Sequence, residues 1–102
     1  MNDLFDEIHP GEVLLEHFMK LLPISARKLS ADIDVSPGRI CDLVHGQRPI
    51  TADTALRLGI CFGMEPRFWL NLQCEYETRM VARELLDKIT PRIRVFQHAV
   101  AT

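Results

Sequence analysis

Apolar residues along this chain recur at helical spacing, broken at intervals by proline, glycine and capping residues, and that rhythm predicts five helices. The first opens at Pro10, a first-turn proline, and turns Leu14, Phe18, Leu21 and Leu22 inward before Pro23 ends it. Ser25 caps a brief second helix running to about Asp32. Ile24 and Leu29 form its hydrophobic staple, and Leu29 and Ile33 face the core. Ser36-Pro37 repeats the start signal, Val35 and Ile40 make a second staple, and Gly46 supplies the left-handed stop of a third helix. Thr51 caps the fourth helix, with Asp53 near the positive end of its dipole, Ala55, Leu58 and Phe62 inside, and Gly63 closing it. Pro66 opens the fifth and longest, on which Trp69, Leu72, Tyr76 and Met80 recur out to about Leu86. Glu65 is a poor cap for it. Beyond Pro91, "RIRVF" (Arg92 to Phe96) alternates weakly, as a short strand or an extended tail.

Composition narrows the class. A chain of 102 residues that is 47% apolar makes one domain able to bury roughly two-thirds of its unfolded surface. No apolar run is long enough to span a bilayer, and the acidic start "MNDLFDEIHPGE" lacks the features of a signal peptide, so a cytoplasmic protein without membrane contact is expected. Cys41, Cys61 and Cys74 are odd in number and widely spaced, which predicts buried or half-buried free thiols rather than disulfides or a zinc site. His9, His17, His45 and His98 are scattered, with no carboxylate pair, nucleophile–base set or metal-ligand spacing beside them. His9 belongs to the start of the first helix. No catalytic residue, metal, cofactor or small-molecule substrate is therefore expected, and the chain does not read as an enzyme.

The net charge of −2 argues mildly against a nucleic-acid partner, but its distribution does not. Residues 1–26 hold five acids (Asp3, Asp6, Glu7, Glu12, Glu16) against Lys20 alone, and the remainder carries a small excess of base. Such a molecule can still turn a favourable side to a phosphate backbone, with modest affinity that depends steeply on salt.

Two short helices joined by a tight turn inside a helical domain form a helix-turn-helix. Leu29 and Ile33 are placed to meet Ile40 and Leu43, with Val35 in the corner and the small Ser30 where the helices cross. At the turn, where glycine is usual, stands Asp34, which visits positive φ at low cost. Residues 25–46 and the helix after them resemble the helix-turn-helix of the Cro/C1 (XRE-like) family. More specifically, "HPGEVLLEHFM" at 9–19, "ITADTALRLGICFG" at 50–63 and "PRFWLNLQCEYETR" at 66–79 are similar to the HigA, or VapI-type, family of antitoxins across roughly residues 8–86. Glu65 departs from the family's usual Ser or Thr, and Asp34 from its usual glycine. The resemblance implies an all-α fold, a five-helix lambda-repressor-like helix-turn-helix domain with a short C-terminal tail. The domain would occupy 1–89 (helix-turn-helix 25–46, fourth helix 51–62, fifth 66–86) and the tail 90–102.

In this motif the third helix enters the major groove N-terminus first, which nominates Ser36, Pro37, Gly38, Arg39 and Asp42 as base-reading residues. Arg39 can bond guanine O6 and N7 together; its alternative is an ion pair with Asp42. Asp42 would orient Arg39, or accept from a cytosine amine. Ser25, Arg27, Lys28, Gln47, Arg48 and Thr51 are the candidates for phosphate contacts, each with a solvated surface role as the alternative. For Ser25 that alternative is a cap alone. His45 either bonds the last helical turn or approaches DNA. The "FWLNLQ" box is assigned to the core through Trp69 and Leu72, with Tyr76 following. One reading helix covers few base pairs, so a homodimer on a palindromic operator of double-stranded DNA is expected. The resemblance further implies dimer contacts from the fourth and fifth helices, repression of the protein's own operon, and neutralisation of a HigB-like ribonuclease toxin. The acidic N-terminal segment offers a dock for such a basic partner. A solitary regulator without a toxin, and an interaction module with little DNA binding, are the alternatives.

Overall fold

The computed structural model describes residues 8–96. Helix α1 spans Pro10–Leu14 and runs on as a π-helical segment, Leu15–Met19. It is followed by α2 (Ala26–Asp32), α3 (Pro37–Val44), α4 (Ala52–Phe62), α5 (Pro66–Ile89) and a 3-10 turn, Thr90–Arg92. The five predicted helices are present. Asp3, Asp6, Glu7 and His98 lie outside the described residues, and with them most of the acidic segment. Residues 93–96 form neither helix nor strand, so the weak alternation after Pro91 belongs to extended chain. No helix among the described residues is long and apolar enough to cross a membrane.

Helix starts follow their capping chemistry closely. His9 Nδ1 accepts from Gly11 N at 2.9 Å, Ser25 from Lys28 N at 3.0 Å, Ser36 from Arg39 N at 3.3 Å and Thr51 from Thr54 N at 3.4 Å. Each satisfies a donor that the first helical turn leaves unpaired. Glu65 makes no such bond, yet α5 starts at Pro66 all the same. That helix ends at Ile89 rather than near Leu86, because nothing before Pro91 breaks it.

The first helix departs from its expected register. Lys20 N bonds the Leu15 carbonyl and Ile24 N the Met19 carbonyl, both five residues back. The widened turn brings Met19 into the core with Leu14, leaving Leu21 and Leu22, expected inside, 71% and 52% exposed. A strict α-helical period cannot register such a turn.

Leu29, Ile33, Ile40 and Leu43 are buried together, as the helix-turn-helix spacing requires, with Leu14, Ile50, Ala55, Leu58 and Trp69 completing the core. Ser30 is buried at the crossing and donates Oγ–H to the Arg27 carbonyl at 2.8 Å. Leu72 and Tyr76 are half-buried, and Met80 is exposed. The three cysteines are free but exposed, contrary to the expected burial; they occupy outward positions of α3, α4 and α5.

Gly11 decides how α1 meets α3. A Cβ built there would stand 1.7 Å from the Leu43 carbonyl oxygen, so only glycine lets the first turn of α1 lie against the last turn of α3. Gly38, on the opposite end of α3, has nothing within 4 Å of the same construction. His9 sits beside this junction, its ring edge-on to Tyr76 of α5 at 4.9 Å and close to Gly46.

Gly11→Ala is expected to lower stability by about 3 kcal/mol, the upper part of the range for overpacking. Gly38→Ala should raise it by about 0.5 kcal/mol by removing unfolded-state freedom; urea denaturation of both variants checks the contrast. Burial holds the His9 imidazole below its usual pKa, against a smaller opposing pull from Glu12. Stability from the neutral ring is therefore complete above the usual value near 6.5 and is lost as pH falls toward the folded-state value. His9→Asn keeps a capping acceptor and should flatten the fall in melting temperature between about pH 7 and pH 5.

Candidate nucleic-acid interface

Helix α3 presents Ser36, Pro37 and Gly38 to solvent in its first turn, with the Arg39 side chain 29% exposed. The Ser36 oxygen is committed to the cap, Pro37 fixes the first turn, and Gly38 adds no side chain, so the leading end is narrow. Gly46, at φ 73°, stops the helix, with its N–H on the Leu43 carbonyl and that of Gln47 on Asp42.

Arg39 does not pair with Asp42, the alternative partner expected from sequence. Its Nη1 lies 3.8 Å from Asp53 Oδ2, on the first turn of α4. Asp42 instead faces Arg48, whose Nη2 donates to Oδ2 at 3.4 Å across the end of α3. Asp42 is thus not the carboxylate beside Arg39 in this structure, because α4 brings Asp53 nearer. His45 turns back on its own helix, Nδ1 2.7 Å from the Cys41 carbonyl.

The candidate phosphate contacts divide into two groups. Gln47, Arg48 and Thr51 are exposed along the connection from α3 to α4. Ser25, Arg27 and Lys28 are exposed at the start of α2, where Lys28 Nζ bonds both oxygens of Asp32 at 2.9 Å. Exposed pairs of this kind are weak and readily exchanged for a phosphate. Among the described residues no group of three or more His, Cys, Asp or Glu side chains is placed to hold a metal.

Two structural residues of the site were not foreseen. Arg57, on α4, sends Nη1 to the carbonyls of Ile33 (2.9 Å) and Asp34 (3.0 Å), and Nε to Asp53 Oδ1. Asp34 holds φ at 60°, the left-handed conformation anticipated for it, directly under this clamp. Chiefly through the Arg57 hydrogen bond, and against a lesser effect of burial, the Asp53 carboxyl is held below the usual carboxylate range. The charges of Arg57 and Arg39 act in the same direction. The spacing of Asp53 and Arg57, four apart on one helix, signalled their pairing; the reach of Arg57 to a turn 23 residues away did not show in the sequence. Gln73 was also missed. It is buried on α5, accepts from Ile50 N at 2.8 Å and donates to Glu77 at 2.7 Å.

A capped short helix, a left-handed turn and a second short helix, packed by α4 and α5, define a helix-turn-helix protein of the Cro/C1 type. No protein-family model matches the sequence. Relatives do: virulence-associated protein I of Dichelobacter nodosus is 47% identical over 77 residues, spanning 76% of this chain and 71% of that protein. The structure resembles the Pseudomonas aeruginosa antitoxin HigA, solved with the higBA promoter, at a TM-score of 0.85 and 37% identity over 88% of this chain and 98% of that one. It likewise resembles an addiction module antidote protein of a HigA family from Coxiella burnetii, at a TM-score of 0.83 and 40% identity over 87% and 97% of the two chains. The chain belongs to the HigA family of helix-turn-helix antitoxins.

Arg57→Ala should loosen the turn while sparing the core. In hydrogen exchange, the amides of Asp34 and Val35 are expected to exchange faster, with those of Leu58 and Trp69 little changed. Equal acceleration throughout would mean that Arg57 supports the whole fold rather than the turn.

Proposed function

We propose that this chain is a sequence-specific DNA-binding repressor that acts as the antitoxin of a toxin–antitoxin pair and represses its own operon. The observation that carries the reading is the narrow leading turn of α3, with Arg39 poised at its edge and Arg48 and Thr51 exposed behind it. Support comes from the Pseudomonas antitoxin, which shares the fold nearly end to end and was solved on promoter DNA. In this reading Ser36, Pro37, Gly38 and Arg39 enter the major groove, with Arg39 bidentate to guanine. Asp42, paired with Arg48, meets a base edge only if that pair opens. Arg27, Lys28, Gln47, Arg48 and Thr51 hold phosphates, with Ser25 assisting from the start of α2.

The functional unit is a homodimer. Leu56 and Ile60 on α4, and Val81, Leu85 and Leu86 on α5, are large apolar side chains left exposed. A two-fold pairing that covers such residues would set two α3 helices about 34–36 Å apart, one turn of the duplex. The second partner is a HigB-like toxin, a ribonuclease, to which family membership points. Expression of this chain beside a neighbouring toxic open reading frame should restore growth and yield a co-purifying complex. A chain with no such neighbour would be a solitary regulator.

The DNA reading is tested by fluorescence anisotropy on a duplex enriched by the protein from a randomised library, against a scrambled duplex. Arg39→Ala should cut the ratio of specific to scrambled affinity by roughly 5- to 150-fold. Arg48→Ala should weaken both duplexes alike and reduce the salt slope by about one. Equal binding of the two duplexes by wild type, with no effect of Arg39→Ala, would overturn the proposal.

A further inference from the structure

We infer that Asp53 is a specificity-determining positioning residue, which holds the Arg39 guanidinium in its reading orientation from a base anchored in the turn. The inference rests on the reading of Arg39 given above and extends it to a residue on a different helix.

The geometry has three parts. First, the two Asp53 oxygens are divided: Oδ1 accepts from Arg57 Nε, while Oδ2 faces Arg39 Nη1 at 3.8 Å. Second, Arg57 is itself immobilised, because its Nη1 is bonded to two main-chain carbonyls, Ile33 and Asp34. A guanidinium tied to backbone at one end and to a carboxylate at the other fixes that carboxylate far better than a flexible ion pair would. Third, Asp42, the carboxylate nearest to Arg39 in sequence, lies instead at Arg48 Nη2 at 3.4 Å, a contact Arg48 can keep while its other N–H groups meet a phosphate. Arg39 therefore faces one fixed anion, and its remaining N–H groups stay available for a base edge.

Asp53 is also half exposed, at 52% of its side-chain surface, on the side of α4 that meets the reading helix. A negative charge there repels phosphate. The residue thus disfavours DNA bound through the backbone alone and favours DNA bound through an oriented Arg39. These opposite effects separate a specificity device from a surface ion pair, since a merely structural carboxylate would alter both affinities in the same direction.

The test measures anisotropy of wild type, Asp53→Asn, Asp53→Glu, Arg39→Ala and the Asp53→Asn/Arg39→Ala double variant, with the enriched and scrambled duplexes at about 0.15 M salt. Asp53→Asn is expected to lower the specificity ratio about two- to fivefold, with scrambled-duplex affinity equal to or above wild type. Asp53→Glu should recover part of the ratio. In the Arg39→Ala background, Asp53→Asn should leave the ratio unchanged, as coupled residues require. Thermal unfolding establishes that each variant is folded, and Asp53→Glu carries the comparison if Asp53→Asn is not. An unchanged ratio in Asp53→Asn, a parallel loss on both duplexes, or an equal effect in the Arg39→Ala background overturns the inference while leaving Arg39 as reader. An Arg39→Ala variant with an unaltered ratio overturns the reading of Arg39 itself, and this inference with it.

Discussion

The carbonyls of Ile33 and Asp34 point out of the corner between α2 and α3, where no further helical turn offers them an N–H, and Arg57 closes on both. At this corner the N–H groups of Asp34 and Val35 are met by the carbonyls of Ala31 and Ser30, whereas the outward carbonyls depend on a side chain, and the residue at positive φ adds strain. Clamping the corner from α4 makes the angle between α2 and α3 a property of the whole domain. The buried set of Leu29, Ile33, Ile40 and Leu43 supplies most of the attraction between the two helices. That attraction is non-directional, and the clamp selects one geometry among those it permits.

Small residues perform the same selection elsewhere. Gly11 admits the Leu43 carbonyl to the first turn of α1, and Ser30 lets α2 and α3 cross closely while its hydroxyl is satisfied within its own helix. Gly59 does so between α4 and the start of α5, where a Cβ would meet the Met64 carbonyl at 2.6 Å. Apolar area sets how firmly the helices associate. These positions set where, and so fix the attitude of α3 relative to the rest of the protein.

What was legible in the sequence was local. Ser25, Ser36 and Thr51 announce their helices because a cap acts over three residues, and Asp34 and Gly46 announce their turns because positive φ selects its residues. The helix-turn-helix followed from these signals and the spacing of four apolar residues. The leading turn of α3 was legible for the same reason, but the partners of its side chains were not. Asp42 and Arg39 stand three apart on one helix, yet each turns to a residue that tertiary packing brings nearer. The π-helical turn in α1 and the outward cysteines escaped for a related reason. A small shift in register, or an outer surface that needs no polarity, leaves no mark on hydrophobic period.

Gln73 gives the architecture a mechanical character. Its carboxamide holds the Ile50 N–H on one side and Glu77 on the other, with the first of these bonds buried. The short loop bearing Gln47 and Arg48 is thereby moored to the first half of the longest helix, whose far half leaves Val81, Leu85 and Leu86 uncovered. A tilt of that helix would have to carry the Ile50 N–H along with it or leave a buried donor unpaired, so the loop's end and the helix favour moving together.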